Sequence, residues 1–102
     1  MVNLKRTGRL IAKRRKEMNL TLPQLAEMLH VSPKEVSVWE EGTLFPDFSS
    51  ERMIYKVMGL NPVEILTGAE MNDEKLKNDI SAYLKKVDLD YSGGNEAYLN
   101  ET

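Results

Sequence analysis

The chain has 102 residues, 41% of them apolar, and a formal net charge of -2 at pH 7, which bounds it to one small domain with an appendage and no large buried cleft. With no cysteine and a single histidine, a disulfide scaffold, a thiolate metal site, a cysteine nucleophile and a multi-histidine site are excluded, and a Ser-His-Asp triad is hard to build. No apolar run exceeds three residues, so nothing is expected to span a membrane, and residues 1–20 lack a signal-peptide core; the expected setting is cytoplasmic.

The net charge argues mildly against a nucleic-acid partner, but it is unevenly spread. Residues 1–42 carry eight Lys or Arg against five Glu, a balance of +3, and residues 43–102 carry six against eleven acids, a balance of -5. Residues 1–16 hold Lys5, Arg6, Arg9, Lys13, Arg14, Arg15 and Lys16 and no acid. A basic segment on an acidic chain points to a polyanion-facing end, with a solvated helix face as the plain alternative.

In chain order, Leu10, Ile11, Met18 and Leu20 predict an amphipathic helix over roughly 8–18, ended by Asn19, which tolerates the left-handed conformation. Thr21-Leu22-Pro23-Gln24 fits a capping box that opens a second helix over 22–29, with Leu22, Leu25, Ala26 and Leu29 as its stripe and His30 at its end. Ser32-Pro33-Lys34-Glu35 repeats the signal and opens a third helix over 33–41, with Val36 and Trp39 facing a core and Gly42 as the stop. Phe45-Pro46-Asp47 connects to a fourth helix that runs to Met58 before Gly59, and Asn61-Pro62 opens a short fifth helix ending near Gly68.

Residues 72–87 predict a further amphipathic helix, capped by Asn72, with Leu76, Ile80, Tyr83, Leu84 and Val87 in one stripe. Residues 88–102 carry four acids, no cation and Gly93-Gly94, and are expected to form a flexible tail. No alternating strand pattern occurs, so the fold class expected is all-α: five helices over 1–68, an accessory helix within 69–87 and the acidic tail 88–102.

Two short capped helices joined by a turn of three to four residues make a helix-turn-helix, whose second helix enters the major groove in DNA binders of this type. The stretch Gly8-Arg9-Leu10-Ile11-Ala12-Lys13-Arg14-Arg15-Lys16-Glu17 begins a longer ordered series of motifs. It continues through Leu20-Thr21, Gln24-Leu25-Ala26-Glu27-Met28-Leu29, Val31-Ser32, Val36-Ser37, Trp39-Glu40, Gly42 and Phe45-Pro46-Asp47, and ends at Gly59-Leu60, Ile65-Leu66 and Gly68. In that order and spacing the chain resembles the Xre/Cro-repressor helix-turn-helix family of prokaryotic and phage regulators over residues 8–68.

The resemblance implies a five-helix scaffold that binds double-stranded DNA, usually as a homodimer, and a transcription regulator acting as a repressor. It also implies a structural ion pair between Arg15 and Glu40. Base-edge contacts are expected from Pro33, Lys34, Ser37 and Val38 on helix 33–41. Phosphate contacts are expected from free amides at Thr21, Leu22, Ser32 and Thr43, with Arg9, Lys13 and a flexible Lys5 and Arg6 adding attraction.

The chain departs from the family at Leu22, where glutamine is common, and at Val38 and Glu41, where basic residues are common. Residues 17–42 set Lys34 alone against Glu17, Glu27, Glu35, Glu40 and Glu41, so DNA binding is expected to be weak to moderate. The alternative reading is a protein-interaction module, such as an antitoxin, that docks a protein partner through helix 72–87. That helix either pairs with its own copy or packs back on the domain. No nucleophile-base pair, metal cluster or phosphate-binding glycine loop is present, so no enzyme, no metal and no cofactor is expected.

Overall fold

A computed structural model describes residues 3–86, and the chain divides into two compact units after Glu70. The expected tail over 88–102, and Val87 of the accessory stripe, lie outside the described residues. In the first unit, α1 spans Leu4–Glu17, α2 Leu22–Leu29, α3 Pro33–Glu40, α4 Phe48–Met58 and α5 Pro62–Thr67. In the second, α6 covers 74–86 of the described residues, among which there is no strand.

α1 begins four residues before the expected start. Asn3 caps it, its side chain accepting from the Arg6 amide at 3.0 Å, so Lys5 and Arg6 are helical rather than flexible. Thr7 and Gly8 look like helix breakers in the sequence, but both are buried by neighbours distant in the chain. The Thr7 hydroxyl donates to the Ile65 carbonyl of α5. A Cβ on Gly8 would run into the carbonyl oxygens of Trp39 and Glu40, so the glycine is what lets α1 lie against the end of α3.

α2 and α3 carry the two expected capping boxes, from Thr21 with Gln24 and from Ser32 with Glu35. Between them His30 adopts the left-handed conformation at φ 59°, and Asn19 ends α1 in the same way at φ 60°. Asp47 caps α4, and Asn61 with Glu64 forms a third box at α5, buried in the interior. α6 departs from the expected start: Asp73, not Asn72, is the cap, its carboxylate accepting from the Leu76 amide at 3.0 Å. The anionic oxygen suits the positive helix end better than an amide does.

The core of the first unit joins Leu10 and Ile11 of α1, Leu25, Ala26 and Leu29 of α2, Val36 and Trp39 of α3, Ile54 and Met58 of α4, Leu60, and Ile65 of α5. Trp39 is core, as its spacing suggested. Among the methionines, Met58 is buried but Met28 is exposed.

Candidate nucleic-acid interface

α3 turns Val36 and Trp39 inward, which leaves Lys34, Ser37, Val38 and Glu41 at i, i+3, i+4 and i+7 on the opposite stripe. Pro33 is exposed at the first helical position. Lys34 is exposed and has no hydrogen bond or ion pair among the described residues. Ser37 is half-buried, and its hydroxyl donates to Glu41 Oε1 at 3.1 Å. Val38 is partly buried against the core, and its carbonyl accepts the Thr43 amide at 3.0 Å. The stripe therefore offers one free cation, one engaged hydroxyl, one half-covered valine and one acid.

The amides expected to meet phosphate are mostly engaged. The Thr21 amide donates to Gln24 Oε1 at 2.9 Å and the Ser32 amide to Glu35 Oε1 at 3.3 Å, while the Thr43 amide goes to Val38. The reason is the capping box, in which the third side chain reaches back to the cap amide. The hydroxyls of Thr21 and Thr43 are exposed, and Thr21 Oγ1 only accepts in its box, so its proton remains available to an anion. Leu22, in the first turn of α2, keeps the amide route.

Of the five acids within residues 17–42, four are held by partners. Glu35 closes the α3 capping box, Glu41 accepts from Ser37, and Glu17 pairs with Lys13 at 3.7 Å and Arg14 at 3.3 Å. Glu40 takes two bonds from Arg15, Nε to Oε2 at 2.7 Å and Nη2 to Oε1 at 3.0 Å, with both side chains nearly buried. The hydrogen bond to Glu40 raises the Arg15 pKa further, against the effect of burial. Arg15 also donates to the Leu20 carbonyl at 2.9 Å, so one guanidinium ties α1 to the entry of α2 and the end of α3. Three of its five N–H groups are thereby committed to the scaffold.

Of the other cations of α1, Lys5 donates to the Glu41 carbonyl at 3.2 Å at the end of α3, and four are placed elsewhere. Arg6, Arg9 and Lys13 line a cleft of about 290 Å³ together with Leu10, Gly68, Ala69 and Glu70. Lys13 and Arg14 each reach Glu70 at 3.3 Å. Burial pushes the Glu70 carboxyl up, but the bonds from Lys13 and Arg14 and their charges outweigh it and hold the group low. Arg9 and Lys13, expected as phosphate ligands, are thus drawn together at the end of α5, while Thr21, Leu22 and Ser32 sit at the starts of α2 and α3.

Two features escaped sequence reasoning. Glu41 stands out in the sequence as an acid in a commonly basic slot, but its hold on the Ser37 hydroxyl does not; their i, i+4 spacing was the available signal. Leu44 and Phe48, 59% and 72% exposed, follow Thr43 as an apolar pair on the surface, and no periodicity marks them.

Comparison with known proteins bears on the same segment. Residues 8–71 match the family described as Helix-turn-helix domain. Over 53 residues the chain is 42% identical to the HTH-type transcriptional activator BcrR of Enterococcus faecalis, a match that takes in 52% of this chain and only 26% of that relative. The crystal structure of the clp gene regulator ClgR from Corynebacterium glutamicum is similar with a TM-score of 0.58, at 18% identity, over 91% of this chain and 95% of that one. At that identity the likeness is one of fold.

Proposed function

Because the chain belongs to the helix-turn-helix domain family, we propose that it is a sequence-specific DNA-binding transcription regulator that inserts α3 into the major groove. The observation that carries this reading is the outward stripe of α3, with the unpartnered Lys34 near its start, between two helices whose caps fix their entry. Lys34 donates to guanine O6 and N7, Ser37 meets a second base, Val38 covers a thymine methyl or sugar, and Pro33 shapes the approach. The hydroxyls of Thr21 and Thr43 and the Leu22 amide hold the backbone, whereas the Ser32 hydroxyl proton is taken by Glu35 Oε1 at 3.3 Å. Arg9 and Lys13 act on phosphates at longer range.

The chain works as a homodimer on a two-fold site, with half-sites roughly 34–36 Å apart. It acts in the cytoplasm as a repressor, since occlusion of a promoter requires only that the site be occupied. It is a regulator rather than an enzyme. Binding is weak to moderate and its salt dependence shallow, because few free cations face the DNA, each phosphate contact contributing about 0.9 to the log-log slope.

The test is fluorescence anisotropy with DNA from upstream of its own coding region and with random DNA, at several salt concentrations. Preference for the upstream fragment, weakened roughly tenfold by Lys34→Ala, is expected from the loss of one bidentate base contact. Equal binding to both fragments, or no dependence on salt, rejects the reading.

A second reading is favoured by α6, where Leu76 is 47% and Tyr83 66% exposed on one apolar stripe. On that reading the chain is an interaction module or antitoxin that docks a protein through α6, and α6 is also the candidate dimer element. Light scattering on the whole chain and on one ending after Met71, which keeps Glu70 and its pairs, separates the two: an unchanged mass excludes dimerisation through α6.

A further inference from the structure

The outward stripe of α3 contains a hydrogen bond whose direction is set by chemistry. Ser37 Oγ lies 3.1 Å from Glu41 Oε1. A carboxylate offers only lone pairs, so the proton in this bond is the serine's. A serine hydroxyl has a single proton and two acceptor positions. With the proton held by Glu41, Ser37 meets anything approaching the stripe as an acceptor only, and the adjacent negative charge strengthens it in that role.

Glu41 is well placed to hold this arrangement. Its amide donates to the Ser37 carbonyl at 2.9 Å as the α3 cap, and its own carbonyl accepts from Lys5 Nζ at 3.2 Å. The residue is therefore tied to both α3 and α1 through its backbone, and its side chain is left to face Ser37.

In the major groove the exocyclic donors are the N6 amino group of adenine and the N4 amino group of cytosine, whereas guanine O6 and thymine O4 are acceptors. A serine with a free hydroxyl accommodates either kind. We propose that Glu41 is a specificity-determining residue that fixes the polarity of Ser37, so that the base facing Ser37 in each half-site is adenine or cytosine. The inference rests on the DNA-binding reading above and deepens it. It also gives an acid on a DNA-facing stripe a purpose: Glu41 lowers affinity for the polyanion uniformly and discriminates between bases at one position.

The test is selection of bound sequences from random DNA, using the full chain and its Glu41→Ala and Ser37→Ala variants, with far-UV circular dichroism and melting to show that each is folded. For the unaltered chain, one position of the selected motif should favour adenine or cytosine over guanine or thymine by roughly five- to tenfold, as one polarised hydrogen bond supplies. Both variants should flatten that position and leave the rest of the motif intact, and Glu41→Ala should also bind all sequences more tightly. A motif unchanged by Glu41→Ala, with only a uniform gain in affinity, overturns the proposal and leaves Glu41 as a plain charge. A preference that survives Ser37→Ala also overturns it, because Glu41 then reads the amino group directly. If the unaltered chain enriches no motif at all, the DNA-binding reading fails, and the inference with it.

Discussion

α2 and α3 are both eight residues long, and each opens with a hydroxyl cap whose oxygen accepts from the amide three residues on while that third side chain reaches back. From the same start they diverge. α2 buries Leu25, Ala26 and Leu29, whereas α3 buries only Val36 and Trp39 and turns Lys34, Ser37 and Glu41 outward. The caps define where each helix begins without reference to its faces, so Lys34 on the outer face of α3 is free of structural duty, while Glu41 holds Ser37 and Val38 leans on the core. Function can then be written on α3 while α2 holds the core.

The largest expected effect tests whether α3 is anchored as that contrast requires. Trp39→Ala should cost about 4 kcal/mol and Leu25→Ala about 3 kcal/mol, since both leave cavities in the core. Lys34→Ala, on the outer stripe, should stay within about 0.5 kcal/mol. Urea unfolding reads all three. A Trp39→Ala loss as small as that of Lys34→Ala would mean that α3 is held by its polar contacts rather than by its core face.

The next effect concerns the guanidinium that ties α3 to α1. Arg15→Ala leaves Glu40 nearly buried without its partner, and a loss of about 3 kcal/mol is expected. Arg15→Lys should restore little, because an ammonium cannot make the paired bonds to Glu40 and also reach the Leu20 carbonyl. Removing Glu40 as well should lose less than the two single changes together, which a double-mutant cycle measures. Simple additivity would show the two residues to be independent.

These cases also show which parts of the molecule were legible in the sequence. α2, α3 and α5 were, because a capping box is local: hydroxyl or amide, proline and Gln or Glu lie within four residues. The start of α1 was not, because Thr7 and Gly8 are helical on account of Ile65 in α5 and of Trp39 and Glu40 in α3, which lie far along the chain. The stripe of Lys34, Ser37 and Val38 followed from helical spacing. The engagement of the Thr21 and Ser32 amides was implicit in the same capping boxes that marked the helices. The gathering of Arg9 and Lys13 at the α5 end was not accessible, since it depends on where Gly68 and Glu70 return to α1. Charge counting could not see it, because a sum carries no position.

The two caps themselves come next in size. Thr21→Ala and Ser32→Ala should each cost about 1 kcal/mol, and the glycine changes only a few tenths. The comparison is sharpened by the DNA readout. On the proposed reading, Thr21→Ala should weaken binding to all sequences alike, because its hydroxyl meets the DNA backbone, whereas changes on the α3 stripe should alter preference. A Thr21→Ala variant with altered base preference would show that α2 takes part in readout and would erase the division between the helices.

The smallest effect lies outside both helices and depends on pH. At the start of α4, Asp47 accepts from the Ser50 amide at 2.8 Å, and this bond, with a second from the Ser50 side chain, holds its carboxyl below the usual aspartate range against slight burial. Glu51, one turn on, is shifted the other way, pushed up by burial and then by the charge of Asp47. The signs follow by linkage. Asp47 binds its proton less readily folded than unfolded, so its contribution is full above the unfolded value of about 3.9 and is lost as pH falls through the lowered folded value. Glu51 binds its proton more readily folded, so acidification through its raised value adds stability before Asp47 begins to lose it. Unfolding free energy measured from pH 7 downward should therefore carry a small rise followed by a fall below about pH 4. Glu51→Gln should remove the rise, and Asp47→Ala should lower stability near neutral pH and flatten the later fall, because the cap it provides is no longer titrated. If Asp47→Ala instead leaves the acid limb as steep as before, the loss comes from other carboxylates of the first unit, with Glu70, held low by Lys13 and Arg14, the next to substitute.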